Sequence, residues 1–281
     1  SAKVWEALAE NIPFRALVWN LSAFSELGML TEMSQFERLV LRKLHDEKAI
    51  VGSRIHPLTL MVAMRNYAKG KGERKSWTVN QRVVAALEDA MLVLFNNVEK
   101  SDTKVAAIVD VSASMSMDYS RYGRETKNRL SDSGIKPIEA AGALAAIQAK
   151  KSDTVVIGVD YNAKLLDIRR NSSIADVTKK LASYHGGMTN LGSGIEYLIN
   201  RKIVVDVIVY YTDNEVNKGY HVVQLFDKYK RLVNKNARFV AVAFEANNFS
   251  IADPSRDDML DVAGFDSNTV NVINSFVERE F

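Results

Sequence analysis

Residues 104–114 read KVAAIVDVSAS, a continuous apolar run followed by oxygen-bearing side chains at alternate positions. An unbroken run of Val, Ile and Ala is typical of a strand that is buried on both faces. The polar residues Asp110, Ser112 and Ser114 begin where the apolar run stops. We therefore predict a strand that ends at Asp110 and leads directly into a loop with two hydroxyls.

Three further apolar runs follow along the chain, at 154–160, 205–213 and 237–244. Segments with helical periodicity lie between the runs, at 138–150, 174–184, 191–200 and 220–235. This alternation indicates an α/β fold with a Rossmann-like, mainly parallel sheet and helices on both faces. Ligands of such sheets bind beyond the carboxyl ends of the strands. Asp110 and Asp213, which end two of these runs, are therefore the first candidates for a site.

Oxygen side chains occur in three of the predicted strand-end loops. The DVSAS segment is followed by a Gly-Gly-x-Thr loop and, later, by a strand-ending Thr-Asp pair. Carboxylates, hydroxyls and waters suit octahedral Mg²⁺ or Mn²⁺. The predicted metal ligands are Asp110, Ser112, Ser114, Thr189 and Asp213. The DxSxS string alone fits ordinary turn chemistry as well, and it is the coincidence of all three loops that favours a metal.

The composition excludes several other kinds of site. The 281 residues include no cysteine and only four scattered histidines. Disulfides, thiolate zinc sites, iron–sulfur clusters and cysteine nucleophiles are therefore excluded, and any metal must be held by oxygens. The formal net charge of +3 is too small to indicate a nucleic-acid partner. The sequence shows neither a signal peptide nor a membrane-spanning stretch, which favours a cytoplasmic location.

The first hundred residues have a hydrophobic pattern that differs from that of the rest of the chain. Helical periodicity occurs in RALVWNLSAFSELG (15–28), FERLVLRKLHDEKAI (36–50), PLTLMVAMRNYAKG (57–70) and NQRVVAALEDAMLVLFNNV (80–98). These segments indicate stacked helix pairs. We place the boundary so that residues 1–103 form an α-helical segment and residues 104–281 form the α/β domain.

Residues 104–280 resemble a von Willebrand factor A domain with a metal-ion-dependent adhesion site. The family's DxSxS corresponds to Asp110, Ser112 and Ser114, its isolated threonine to Thr189, and its late aspartate to Asp213. The resemblance implies that the hydroxyls ligate the metal directly and that the carboxylates do so directly or through water. It further implies that the metal accepts an acidic group from a ligand.

A second resemblance covers the whole chain. The runs RIHPLTLMVAMRNYAKGKGERKSW (54–77), VDVSASM (109–115) and NNFSIADPSRDDMLDVAGFDSNTVNVINSF (247–276) are similar to the carboxyl-terminal half of the Ro autoantigen, or TROVE, family. In that family a ring of HEAT-like helical repeats is closed by the A domain. The resemblance implies binding of small structured noncoding RNA, a role in RNA quality control, and no catalysis.

The sequence departs from the family in two respects. About two helix pairs precede the A domain, whereas the family has a full ring, so the chain is a fragment, a shortened relative, or a protein whose missing repeats come from a separate chain. The segment 115–137 is also longer than expected between DxSxS and the next helix.

Basic residues are concentrated between residues 54 and 82, where seven Lys and Arg face a single Glu. Tyr67 and Trp77 are interleaved with them, which suits phosphate contacts combined with base stacking. A charge run of this size is also typical of a solvated face, and KGKGERKSW reads as a flexible loop. The TROVE resemblance favours RNA. The candidate RNA contacts are Arg54, His56, Arg65, Lys69, Lys71, Arg74, Lys75 and Trp77, although His56 before Pro57 also suits a helix start.

Two other function classes stay open from the residues alone. A protein-binding adhesion or scaffold module would use the metal site, with an acidic protein as its ligand, and would not need RNA. A Mg²⁺-dependent phosphohydrolase would use Asp110 as its nucleophile. That chemistry calls for a second carboxylate two residues later, where this chain has Ser112. We therefore expect a protein that is not an enzyme.

Overall fold

The computed structural model describes most of the chain. The described residues are 10–72, 75–95, 102–116, 135–184, 186–187, 189–213, 220–244, 251–264 and 268–278. Arg74 and most of the long segment 115–137 lie outside them. The chain divides into two compact units, residues 1–97 and 98–281, and the predicted boundary after residue 103 lies six residues further along.

The first unit is α-helical in its described residues. Its helices are α1 (Phe14–Glu26), α2 (Gln35–Leu44), α3 (Glu47–Gly52), α4 (Pro57–Ala68) and α5 (Gln81–Leu94). One predicted helix, 36–50, is in fact two. The Asp46 side chain accepts a hydrogen bond from the Ala49 backbone N–H at 3.0 Å, so it caps a new helix after α2 has ended.

A buried polar network joins α2 to the start of α5. Glu37 is completely buried, and its carboxylate accepts from the Met33 backbone N–H at 2.7 Å and the Asn80 Nδ2 at 2.8 Å. Arg82 donates to the same carboxylate at 3.0 Å. Because a buried charge is costly unless it is paired and hydrogen-bonded, these partners are what make Glu37 tolerable in the core.

The second unit is built around a six-stranded sheet with the order β3-β2-β1-β4-β5-β6. The strands are β1 (Lys104–Asp110), β2 (Asp153–Val159), β3 (Ala163–Leu166), β4 (Val207–Thr212), β5 (Arg238–Ala243) and β6 (Met259–Ala263). All neighbours are parallel except β2 and β3, which are antiparallel. The expected α/β architecture with a mainly parallel sheet is confirmed.

The two edge strands, β3 and β6, were not predicted. The short strand β3 exposes Lys164 and Leu165, and in β6 buried or half-buried positions alternate with exposed ones such as Asp261. An edge strand has a solvent-exposed side and therefore need not be a continuous apolar run. Only the inner strands carry the apolar pattern that predicted the sheet.

Helices cover both faces of this sheet. They are α6 (Pro137–Lys151), α7 (Ile174–Ala182), α8 (Gly192–Asn200), α9 (Tyr220–Leu232) and α10 (Asn268–Glu278). Helices α8 and α9 share one core with Ile108 and Tyr210, while α6 packs against β1 and α7. The central strands β1 and β4 are parallel neighbours, so their carboxyl ends lie side by side. Among the described residues, no helix is both long and apolar enough to cross a membrane.

Candidate metal centre

Asp110 is held in place at the carboxyl end of β1. Its side chain is buried, with only 1% exposed. The Ser112 backbone N–H donates to its Oδ1 at 2.9 Å, and the Thr212 hydroxyl donates to its Oδ2 at 3.2 Å. The chain turns sharply after β1, so that Ser112 folds back on the carboxylate, and Thr212 reaches it from the neighbouring strand.

The two serine hydroxyls of the DxSxS segment lie next to each other. The Oγ atoms of Ser112 and Ser114 are 3.1 Å apart. Ser112 is buried, whereas Ser114 is half-buried at the start of a single 3₁₀ turn, Ser114–Ser116. The alternate spacing therefore places one carboxylate and two hydroxyls in one small region.

The Thr189 loop packs directly against the segment after β1. The Ala113 backbone N–H approaches the Gly187 carbonyl at 3.4 Å. A Cβ added at Gly186 would lie 1.9 Å from the Val111 carbonyl oxygen, so only glycine allows this close approach. Asn190 ties the other end of the loop to the sheet, because its N–H donates to the Asp160 carbonyl at 2.7 Å. Thr189 is thereby held beside the DxSxS segment.

The second carboxylate, Asp213, follows β4 directly and is fully buried. Burial, with a smaller contribution from repulsion by the Asp213 carboxylate, raises the pKa of Asp110 to about 6, although the Ser112 and Thr212 hydrogen bonds act in the lowering direction. Asp213 directly follows Thr212, whose hydroxyl contacts Asp110, so the two aspartates lie at the same end of neighbouring parallel strands. Asp110, Ser112 and Ser114 are therefore joined by contacts, Asp213 directly follows the neighbouring strand, and the loop that carries Thr189 packs against the segment after β1.

The donor set fits a hard divalent cation. Two carboxylates and three hydroxyls are all oxygen donors, which Mg²⁺ and Mn²⁺ prefer. Within the described residues, no group of three or more His, Cys, Asp or Glu side chains could hold a metal. Two neighbouring buried carboxylates are costly on their own, and a cation between them would offset that cost.

The candidate RNA contacts in the first unit differ in accessibility. Arg54 and Lys69 are exposed, as are Lys71 and Lys75, while Arg65 is half-buried in α4. Lys75 forms an ion pair with Glu26 at 2.9 Å. The exposed lysines follow α4 closely in the sequence.

Two of the candidates, His56 and Trp77, also form hydrogen bonds within the fold. The His56 Nδ1 accepts from the Leu58 backbone N–H at 3.2 Å and so caps α4, as one reading of the sequence expected. The Trp77 indole N–H donates to the Tyr67 carbonyl at 2.9 Å, and the Trp77 backbone N–H donates to Gly70. These bonds and a bridge between Lys71 and Ser76 hold both ends of the segment KGKGERKSW, while Glu73 and Arg74 lie outside the described residues.

Family models match both parts of the chain. The model described as the Ro60 vWA domain matches residues 104–277, and the model described as the TROVE domain matches residues 1–131. The chain belongs to the Ro60 family. The family expected from the DxSxS segment and the carboxyl-terminal runs is therefore confirmed.

Curated relatives of this Ro60-family chain are similar along its whole length. The RNA-binding protein RO60 of Deinococcus radiodurans is 32% identical over 99% of this chain and 52% of the relative. The protein of the same name from Caenorhabditis elegans is 30% identical over 99% of this chain and 42% of the relative. The chain thus spans about half the length of these relatives.

The crystal structure of the Deinococcus radiodurans RO (RSR) protein resembles the whole Ro60-family chain. The two share 31% sequence identity with a TM-score of 0.68, and the match covers 100% of this chain and 56% of that one. The likeness includes both the helical unit and the α/β unit.

Proposed function

We propose that this Ro60-family chain is a non-catalytic, cytoplasmic RNA-binding protein of the Ro type. Its helical unit would bind small structured noncoding RNA in the course of RNA quality control. The observation that carries the proposal is the likeness, over 99% of the chain, to two proteins named RNA-binding protein RO60. The local excess of basic residues between 54 and 82 supports it.

The exposed lysines after α4 are the groups that would contact phosphate. Lys69 and Lys71 project into solvent close to one another in sequence, and Arg54 is exposed in the turn before α4. Lys and Arg release counterions when they bind nucleic acid, so the contacts weaken as salt rises. His56 and Trp77 would support RNA binding indirectly. Their hydrogen bonds stabilise the start of α4 and the turn that follows it.

Electrophoretic mobility shift with a structured RNA hairpin, run across a salt series, tests this function. The Lys69→Glu/Lys71→Glu variant should bind about tenfold or more weakly and with a shallower salt dependence, because phosphate contacts are lost. The matched control is Lys179→Glu/Lys180→Glu, two exposed lysines at the end of α7. Equal binding by both variants, or no salt dependence in the wild-type chain, would contradict the proposed RNA surface.

We further propose that the α/β unit binds Mg²⁺, or another divalent cation such as Mn²⁺, and uses it to capture an acidic group. Ser112, Ser114 and Thr189 would ligate the ion directly, and Asp110 and Asp213 directly or through water. When bound, the ion supplies an electrophilic centre for a carboxylate or phosphate. The chain's own contribution is to fix the ligands, since both Asp110 oxygens already accept hydrogen bonds.

Isothermal titration with Mg²⁺ tests the metal site. Asp110→Ala should abolish measurable binding, because it removes one of two buried carboxylates. Asp176→Ala, at an exposed position in α7, is the control and should bind like the wild-type chain. Unchanged Mg²⁺ affinity in Asp110→Ala would show that the site is wrongly assigned.

An adhesion or scaffold function without RNA is the second candidate, favoured by the buried oxygen cluster at the sheet edge. It predicts Mg²⁺-dependent binding of an acidic peptide and no shift of structured RNA at low salt. A phosphohydrolase is disfavoured, because the second-carboxylate position of that chemistry holds the buried Ser112. An assay with a generic phosphate ester and Mg²⁺ should show no turnover above that of Asp110→Ala.

A further inference from the structure

Two hydroxyls on β4 point to one side of the sheet near the candidate metal centre. Tyr210 and Thr212 are two residues apart in the strand, so their side chains share a face. Both side chains are completely buried. Buried hydroxyls are nearly always hydrogen-bonded, and the partners of these two lie at or near the candidate metal ligands.

Thr212 is hydrogen-bonded to the Asp110 carboxylate. Its hydroxyl donates to Oδ2 of Asp110 at 3.2 Å, while the Ser112 backbone N–H donates to Oδ1 at 2.9 Å. The carboxylate is therefore held at both oxygens by donors from two different segments. A carboxylate has about four acceptor positions, so lone pairs are left for a metal or its waters.

Tyr210 is hydrogen-bonded to the residue that precedes α8. Its hydroxyl donates to the Leu191 carbonyl at 2.5 Å. Leu191 directly precedes α8 and follows Thr189 by two residues. A Cβ added at Gly194 would lie 3.0 Å from the Tyr210 hydroxyl, so the helix approaches the strand closely at this point. The end of the Thr189 loop is thus attached to β4 through the hydrogen bond between Tyr210 and Leu191.

We propose that Thr212 and Tyr210 are positioning residues for the metal centre, Thr212 through the Asp110 carboxylate and Tyr210 through the start of α8 that follows Thr189. The inference rests on the proposed Mg²⁺ site and goes beyond its five ligands. One strand then preorganises two ligands that come from separate loops. Partners of this indirect kind commonly change metal affinity by about 10- to 100-fold.

Thr212→Val and Thr212→Ser are the matched pair for the first residue. Valine keeps the shape and suits a strand, but it removes the hydroxyl, and serine keeps the hydroxyl. In Mg²⁺ titrations of the full chain, Thr212→Val should raise the Kd by about 10- to 100-fold. Thr212→Ser should restore the wild-type Kd to within about twofold. Thr212→Ala should repeat the loss and serves if the valine variant does not fold.

Tyr210→Phe and Tyr211→Phe are the matched pair for the second residue. Both remove one buried hydroxyl, but the Tyr211 hydroxyl has no hydrogen-bond partner in the described part of the chain. Tyr210→Phe should raise the Kd for Mg²⁺ by about fivefold or more, because it removes the hydroxyl's hydrogen bonds with the Leu191 and Ile195 backbones, and Tyr211→Phe should leave the Kd unchanged.

Thermal unfolding without metal gives the melting temperature of each variant. The Mg²⁺ titrations are then run at a temperature where every variant is folded, so that a change in Kd is not caused by unfolding. Thr212→Val or Tyr210→Phe with a lowered melting temperature but a wild-type Kd would overturn the inference for that residue. Equal losses in Thr212→Val and Thr212→Ser would overturn it as well. If the wild-type chain itself binds no Mg²⁺, the proposed metal site fails and this inference fails with it.

Discussion

Gly186 illustrates how a single residue without a side chain can determine the geometry of the candidate centre. An added Cβ would lie 1.9 Å from the Val111 carbonyl oxygen, whereas one at Gly187 would have no atom within 4 Å. Gly186→Ala should therefore push the Thr189 loop away from the DxSxS segment. We expect a loss of about 1–3 kcal/mol in the free energy of unfolding, together with Mg²⁺ binding weakened by about tenfold or more.

Gly187→Ala is the control for this prediction and should be close to wild type in both measurements. Denaturant unfolding gives the stability and calorimetry gives the metal affinity. If the two alanine variants behave alike, the close approach of the loops is not what the centre requires.

Asp258 should give the α/β unit an acid-sensitive contribution to stability. Bidentate hydrogen bonds from Arg256, each at 2.8 Å, and a further one from Lys230 hold the pKa of Asp258 down at about 2. The stabilisation is complete above the ordinary carboxyl pKa of about 4 and is lost as the pH falls toward 2. The loss should be about 1–2 kcal/mol, since the side chain is partly exposed.

Urea unfolding at several pH values between 2 and 6 measures this effect. Asp258→Asn should be less stable than wild type at pH 6, and the difference should shrink as the pH approaches 2. Asp257→Asn, at the exposed neighbouring position, should follow the wild-type profile. A constant difference between Asp258→Asn and wild type at every pH would refute the assignment.

At the level of elements, burial determined what the sequence could predict. The inner strands β1, β4 and β5 are continuous apolar runs, and the ends of β1 and β4 are where the sequence predicted the candidate ligands Asp110 and Asp213. The edge strands β3 and β6 were missed because exposure breaks the apolar pattern. The contacts of Thr212 and Tyr210 join residues distant in sequence, and periodicity carries no information about such pairs. Thr212, the hydroxyl residue directly before Asp213, could have been recognised as a further site residue, but it also fitted the end of a strand.

Asn80 should be the most sensitive cap in the helical unit. Its Oδ1 accepts from the Arg82 and Val83 backbone N–H groups, and its Nδ2 donates to Leu30 and Glu37. Asn80→Ala therefore removes the cap of α5 and also takes a donor from a buried carboxylate. We expect a loss of about 2–4 kcal/mol in the free energy of unfolding.

Asn66→Ala, at an exposed position within α4, provides the comparison and should change stability by less than about 0.5 kcal/mol. Circular dichroism in urea follows both variants. A similar small loss for Asn80→Ala would mean that the network around Glu37 is not essential for the packing of this unit.

At the level of the whole molecule, the net charge of +3 conceals an uneven distribution. The basic residues between 54 and 82 lie in the first unit, and the buried carboxylates Asp110 and Asp213 lie in the second. Total composition could not show this, whereas the order of residues along the chain could. The proposed RNA surface and the proposed metal centre are therefore carried by separate folding units.

The two activities should consequently be separable by mutation in both directions. Asp110→Ala should lose Mg²⁺ binding and keep the RNA affinity of the wild-type chain, because the lysines that would contact phosphate belong to the other unit. Lys69→Glu/Lys71→Glu should lose RNA affinity and keep the wild-type Kd for Mg²⁺. Mobility shifts with and without Mg²⁺, together with calorimetry on both variants, complete the comparison. Loss of RNA binding in Asp110→Ala, with the helical unit still folded, would mean that RNA reaches the metal centre itself.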